Sequence, residues 1–149
     1  MASKKTLVIE TLYDPGGRGI TATAEYVPSL YKLQRPSLTP RIQTSLVLIH
    51  GLNGDYLNTW THEETKVCWP KDLLPRVFPR IRVLSLAYDA DLYGNTSVVG
   101  VRGNAQTLLA RLRDLREVRH HGSPIVFVAH SLGGIVLKQV GACQPRVVV

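Results

Sequence analysis

The chain has 149 residues, 44% of them hydrophobic, and a net charge of +7 at pH 7. This length allows one domain with a real core. Its basic residues are scattered without an aromatic ladder, so the charge predicts solubility and no nucleic-acid partner. Cys68 and Cys143 match no metal-ligand spacing, so we expect reduced thiols, no metal and no cofactor. The apolar run at 7–9 is too short for a signal peptide or a membrane span, so we expect an intracellular protein.

The first 43 residues predict a hairpin followed by a connector. Residues 6–13 and 20–27 are predicted as two strands, because the Asp-Pro-Gly-Gly sequence between them, at 14–17, is a dense turn signal. The pairing expected across such a turn is antiparallel. Residues 28–41 contain three prolines and predict an irregular connector.

A buried strand is predicted at 46–49, and it ends in a histidine–glycine loop. The run Leu-Val-Leu-Ile suits a strand that is covered on both faces. His50 and Gly51 follow it directly, and Gly54 lies three residues further on. The loop glycines allow the backbone to approach a ligand closely. On its own, a strand that ends in His-Gly is a weak signal.

The middle of the chain predicts two helices and another strand. Trp60 is expected to pack in the core or under a lid rather than to hold a substrate. Trp69 opens a short, proline-bounded helix, and residues 81–87 predict a strand. Asn104 is expected to cap a longer helix that ends near Arg119, with leucines along one face.

Residues 125–140 predict a strand, a sharp turn and a helix around a serine. The run Ile-Val-Phe-Val at 125–128 suits a buried strand, and the apolar spacing from residue 135 onward fits a helix. A reactive serine needs such a turn, because the turn lifts the hydroxyl above the sheet edge and requires small neighbours. The pattern is a nucleophile elbow around Ser131, and its other motif residues are Ala129 (in place of the first glycine), His130, Gly133 and Gly134.

The elbow and the earlier histidine–glycine loop together predict an acyl-transfer site. In acyl transfer the attacked carbonyl oxygen becomes an anion, and two backbone N–H groups must already point at it. We expect one from Leu132, which follows Ser131 at a helix N-terminus, and the other from Leu52. His50 is expected to anchor the loop that carries Leu52.

Strands alternate with helices after residue 44, which predicts an α/β fold with a mostly parallel sheet and helices on both faces. The N-terminal antiparallel hairpin would join this sheet. Ligands bind such sheets at the carboxyl ends of the strands, where the predicted serine and oxyanion loop both fall.

With these motifs the sequence resembles the α/β-hydrolase superfamily, specifically the lipase-like group of serine-active-site-containing proteins. The hydrolase domains of fungal nucleotide-binding receptor-like proteins are similar. The resemblance covers roughly residues 45–140 and implies a lipid or other ester substrate, with association to mitochondrial or endoplasmic-reticulum membranes. It divides the chain into 1–43, the hairpin and connector; 44–143, the N-terminal half of a hydrolase domain; and 144–149, an atypical tail.

The superfamily orders its triad as serine, acid and histidine. Ser131 lies 18 residues before the last residue of the sequence. We therefore expect that neither the acid nor the histidine of the triad follows it on a completed fold. Among the upstream histidines, His62 is the one candidate base on the correct side of the sheet. His120 and His121 are expected at the opposite edge, and His130 is expected to be packed and hydrogen-bonded.

The sequence therefore predicts a lipase-like or esterase-like serine hydrolase fragment that is inactive alone. Two alternatives remain open, which are a non-catalytic protein-interaction module and a hydrolase completed by a partner chain. The strand at 125–128 would lie at a sheet edge and so predicts association with a protein partner.

Overall fold

The computed structural model describes residues 7–15, 44–88, 90, 98–119 and 123–143. These residues form four strands, four α-helices and one 3₁₀ turn. The strands are β1 (Val8–Tyr13), β2 (Thr44–Ile49), β3 (Ile81–Ala87) and β4 (Ile125–Ala129), the helices are α1 (Trp69–Asp72), α2 (Leu74–Val77), α3 (Val98–Arg119) and α4 (Leu132–Cys143), and the 3₁₀ turn is Asn58–Trp60.

The described strands form one sheet in the order β1-β3-β2-β4. Strand β2 pairs in parallel with β3 and with β4, whereas β1 runs antiparallel to β3 with Val8 opposite Ala87. The buried ion pair between Arg82 and Asp14 (Nε–Oδ2 3.4 Å) also joins β3 to the end of β1. The predicted mostly parallel sheet is thus confirmed. The second strand of the predicted hairpin, at 20–27, and the connector lie outside the described residues.

Alternate residues of the central strands pack against helices on the two faces of the sheet. On one face, β2 and β3 contact α3 and α4 through Val47, Ile49, Leu84, Leu86, Ala105, Leu108, Leu112, Val136 and Val140. On the other face, β2 and β3 contact the chain segment that connects them, which contains the 3₁₀ turn, α1 and α2. The residues of this contact are Leu46, Leu48, Val83, Trp60, Cys68 and Leu74. Burial of both faces of a parallel sheet matches its nearly continuous apolar strands, and the prediction of helices on both faces is confirmed.

Helix α3 begins at Val98, so the prediction that Asn104 caps it was wrong. Asn104 is half-buried inside the helix, two turns after its start. The first turns contain Gly100 and Gly103, which have low helix propensity. Val101, between them, packs against the core, and this tertiary contact favours the helix over its weak local preference.

Strand β4 is less covered than its apolar sequence predicts. Val126 is 48% exposed, so the expectation of a strand buried on both faces was wrong for β4. The reason is its position, because β4 ends the strand order and β2 is its one neighbour among the described strands. This position agrees with the predicted sheet edge.

Candidate active site

Ser131 occupies a sharp turn between β4 and α4. Its φ of 53° lies in the left-handed region, which costs a non-glycine residue about 1–2 kcal/mol. The turn is closed by two backbone hydrogen bonds, from Gly133 N–H to the carbonyl oxygen of His130 and from Gly134 N–H to that of Ser131, both 3.0 Å. The serine is exposed. The Ser131 side chain is therefore held by a strained backbone turn at the end of β4.

Gly133 packs directly on the end of β2. A Cβ at this position would lie 2.4 Å from the carbonyl oxygen of Ile49 and 2.6 Å from that of His50. No larger residue fits there without displacing backbone. At Gly134 a Cβ would meet no described atom within 4 Å, so steric packing requires only one of the two motif glycines.

Gly51 brings the loop after β2 against the serine. A Cβ built on Gly51 would lie 2.7 Å from Ser131 Cβ and 2.9 Å from the carbonyl oxygen of His130. The N–H of His130 donates to the carbonyl oxygen of Ile49 over 2.9 Å, which extends the pairing of β2 and β4 to this point. The two sequence motifs, far apart in the chain, therefore meet at one edge of the sheet.

The loop after β2 is held in place from β3. The Tyr88 hydroxyl donates to the carbonyl oxygen of His50 over 2.7 Å. Ser85 Oγ donates to the carbonyl oxygen of Tyr56 over 2.6 Å, and Asn53 N–H donates to that of Ala90 over 3.1 Å. Tyr88 was not among the site residues predicted from the sequence. Its position directly after a buried strand, at the carboxyl edge of the sheet, was the available signal.

His50 is a buried ring that holds its own loop. It is 1% exposed, stacks on Tyr88 at 4.4 Å between ring centroids, and lies 2.9 Å from the carbonyl oxygen of Gly51 through Nδ1. Because a carbonyl only accepts, Nδ1 carries the proton. Burial lowers the pKa of His50 below its usual 6.5, while the Gly51 carbonyl, the charge of Asp55 and the Tyr88 backbone oppose that shift.

Tyr88 remains a hydrogen-bond donor over the working range of pH. Burial raises the pKa of its hydroxyl to about 12. The hydrogen bond from Tyr88 to the His50 carbonyl therefore persists wherever the protein is folded at neutral or mildly alkaline pH. A fixed His50 carbonyl constrains the peptide unit that leads into Gly51.

Among the described residues, the two amides predicted for the oxyanion have no hydrogen-bond acceptor. Within the described ranges, hydrogen bonds in this region use the amides of Asn53, Gly54 and Gly133, but none joins the N–H of Leu52 or Leu132 to an acceptor. Leu132 is the first residue of α4, where N–H groups lack intrahelical partners. Both amides belong to residues directly next to Gly51 or Ser131.

The described histidines outside this loop, His62 and His130, are exposed, whereas His50 is buried. His62 is exposed, and its Nδ1 accepts from the N–H of Thr65 at 3.3 Å. The prediction of a packed His130 was wrong, because β4 ends at the edge of the described sheet and leaves this side chain exposed. His120 and His121 lie outside the described residues. In the part of the chain that the structure describes, no group of three or more His, Cys, Asp or Glu residues could hold a metal ion.

We expect the buried His50 to make stability depend on pH. Its lowered pKa means that the unfolded chain binds a proton before the folded chain does as the pH falls below 6.5. The contribution of His50 to the free energy of unfolding should therefore be fully present above pH 6.5. It should decrease as the pH falls from there through the pKa of His50 in the folded chain. Urea unfolding at about pH 7.5 and about pH 5.5 measures this difference.

The matched variants are His50→Gln, which should lose much of this pH dependence, and His62→Gln, which should keep it because His62 is exposed. Equal pH dependence in the parent chain and His50→Gln would contradict the assignment.

The family of this chain follows from its similarity to known proteins. Residues 46–149, more than half of the chain, match the alpha/beta hydrolase family. The chain belongs to the alpha/beta hydrolase family. This membership confirms the resemblance stated from the sequence, and the described sheet is consistent with part of that fold.

Relatives of this chain from several vertebrates carry the name Protein SERAC1. The zebrafish (Danio rerio) protein is 30% identical over 66% of this chain and 18% of its own length. The cattle (Bos taurus) protein is 29% identical and the human (Homo sapiens) protein 26% identical, each over 80% of this chain and 21% of its own length. The chain thus spans about a fifth of the length of these curated relatives. No solved structure matches this chain. None of its described helices has the length and apolar character needed to cross a membrane.

Proposed function

We propose that this chain carries the nucleophile and oxyanion half of a serine ester hydrolase, with Ser131 as the nucleophile and Leu52 and Leu132 as the oxyanion donors. The observation that carries the proposal is the close contact between Gly51 and Ser131. A Cβ built on Gly51 would lie only 2.7 Å from Ser131 Cβ. This contact supports the proposal, because Gly51 precedes Leu52 in the loop and Ser131 lies in the strained turn.

The proposed chemistry is acyl transfer to the serine hydroxyl. Ser131 Oγ attacks the ester carbonyl carbon, a base accepts the hydroxyl proton, and the carbonyl oxygen becomes an anion that the two amides stabilise. The alcohol leaves with a proton when the tetrahedral intermediate collapses, and water then hydrolyses the acyl-serine. One oxyanion donor contributes roughly 10²–10³ in rate in a well-studied protease.

We propose that the triad acid and histidine lie outside these 149 residues and that these residues alone turn over ester very slowly. In support, the described contacts join His62 to Thr65 and His50 to its own loop. In a well-studied protease, loss of the histidine alone lowers kcat by roughly 10⁶. A lipid ester, at a mitochondrial or endoplasmic-reticulum membrane, is the substrate setting that the sequence resemblance implies.

The test is labelling by a fluorophosphonate probe with added imidazole as an external base. We expect slow labelling that imidazole accelerates, that mass spectrometry locates on Ser131, and that Ser131→Ala abolishes. Ser123→Ala, which changes a half-buried serine just before β4, should label like the parent chain. Labelling that persists in Ser131→Ala, or no labelling of Ser131 at any imidazole concentration, would overturn the proposal.

A second candidate function is a protein-interaction module, and the exposure of Val126 on the edge strand β4 favours it. It predicts a stable complex on pull-down that Val126→Lys weakens, without labelling of Ser131. If a partner instead supplies the histidine, rapid labelling should appear when the partner is added.

A further inference from the structure

The amide of Leu52 belongs to a peptide unit whose carbonyl side is held by two contacts. The carbonyl oxygen of this unit is that of Gly51, which accepts from Gly54 N–H over 3.0 Å and lies 2.9 Å from His50 Nδ1. Among the described residues no peptide bond is cis. In a planar trans peptide the C=O and N–H bonds point in opposite directions. The Leu52 N–H therefore points away from the buried His50 ring.

Tyr88 fixes the His50 ring that makes this contact. Tyr88 directly follows β3, is 6% exposed, and stacks on the His50 ring with the ring planes 24° apart. Its hydroxyl also donates to the His50 carbonyl oxygen over 2.7 Å. One tyrosine therefore holds both the ring and the backbone carbonyl of His50.

The same end of β3 also holds the peptide unit that follows Leu52. The N–H of that unit belongs to Asn53 and donates to the carbonyl oxygen of Ala90 over 3.1 Å. Tyr88 binds the unit that precedes Gly51, so two contacts from residues just after β3 flank the unit that carries the Leu52 amide. A donor that is already fixed in direction needs no reorganisation when charge develops on the ester oxygen.

We propose that Tyr88 is a positioning residue for the oxyanion and acts through His50 on the direction of the Leu52 N–H. This role rests on the proposed function and adds a third element, β3, to the elements that build the site. The Tyr88 hydroxyl is engaged with the His50 carbonyl, so Tyr88 acts through the loop and not on the ester itself. Its loss should therefore slow the reactions in which negative charge develops on an oxygen atom at this site.

A matched pair of probes isolates the contribution of the oxyanion donors. A fluorophosphonate presents a P=O oxygen to the two amides, whereas its thiophosphonate counterpart presents sulfur, which is a weak hydrogen-bond acceptor. The ratio of the two labelling rates of Ser131, at one imidazole concentration, therefore reports the strength of the donors. Both probes react with the same folded molecules, so this ratio does not depend on the folded fraction. We expect Tyr88→Phe, which keeps the stacked ring, to lower the ratio about tenfold.

Two further variants separate positioning from a general effect on stability. Thr61→Val also removes a hydroxyl that donates to a backbone carbonyl between β2 and β3, that of Leu57 over 2.9 Å, and it should keep the parent ratio. Tyr88→4-aminophenylalanine retains an N–H donor on the ring and should return the ratio toward the parent value.

The outcomes for Tyr88 and for the proposed function are distinct. An unchanged ratio in Tyr88→Phe, an equal fall in Thr61→Val, or no recovery with 4-aminophenylalanine would overturn the role of Tyr88 and leave the proposed function intact. Absence of Ser131 labelling in the parent chain would overturn the proposed function, and the role of Tyr88 with it.

Discussion

Replacing Gly133 with alanine should destabilise the fold by about 3 kcal/mol or more. The new methyl carbon would lie 2.4 Å and 2.6 Å from two backbone oxygens at the end of β2, where real Cβ contacts stay beyond 3.0 Å. A side chain could rotate away, but backbone oxygens at the end of a central strand cannot move without displacing β2 or α4. Because small domains have about 5–15 kcal/mol in total, such a loss leaves a substantial unfolded fraction.

The measurement is urea unfolding followed by far-ultraviolet circular dichroism, with soluble yield as a second readout. Two other glycines provide controls, because a Cβ on Gly134 or on Gly103 would meet no described atom within 4 Å. Gly134→Ala should be close to neutral. Gly103→Ala, inside α3, should stabilise by roughly 0.5–1 kcal/mol. If Gly133→Ala unfolds at the same urea concentration as Gly134→Ala, the close packing of α4 on β2 is refuted.

Gly51→Ala should remove most of the imidazole-dependent labelling of Ser131 and have a smaller effect on stability. Its methyl group would lie 2.7 Å from Ser131 Cβ and 2.9 Å from the carbonyl oxygen of His130. The loop can relieve this contact only by moving away from the serine, and Leu52 N–H moves with it. Loss of one oxyanion donor lowers rates by roughly 10²–10³, so we expect labelling to fall by about 100-fold.

Asn53→Gly is the matched control in the same loop. Asn53 is exposed and has a φ of 52°, a conformation that glycine adopts readily, so this variant should label at the parent rate. The two rates, measured at one imidazole concentration and compared with thermal unfolding of each variant, separate a local effect from loss of fold. Unchanged labelling in Gly51→Ala would show that the loop does not position an oxyanion donor.

The sequence predicted the features that depend on short-range pattern. The apolar runs of β2, β3 and β4 gave the sheet, and the requirement for a small residue after a nucleophile pointed to Gly133, which the steric contacts now explain. Gly134 was predicted as a motif residue on the same ground, but a Cβ there would meet open space. Spacing alone does not reveal which of two adjacent glycines faces a neighbouring strand.

Other features depend on contacts between distant parts of the chain. The hydrogen bond from Tyr88 to the His50 carbonyl joins residues 38 positions apart, and no local pattern encodes it. The early start of α3 depends on Val101 reaching the core. The exposure of His130 depends on where β4 ends in the sheet rather than on the residue itself. In each instance tertiary position outweighed local preference.

The position of β4 has a geometric consequence for how the site could be completed. Among the described strands, β4 has a neighbour on its β2 side only. A further strand added alongside β4 would lie about 4.8 Å away. If it ran parallel to β4, its final residues would come to rest level with the turn at Ser131, and the loop after it would emerge next to the hydroxyl. A segment that docks by backbone pairing alone could therefore deliver a proton acceptor to this serine, with the ladder register deciding which residue arrives.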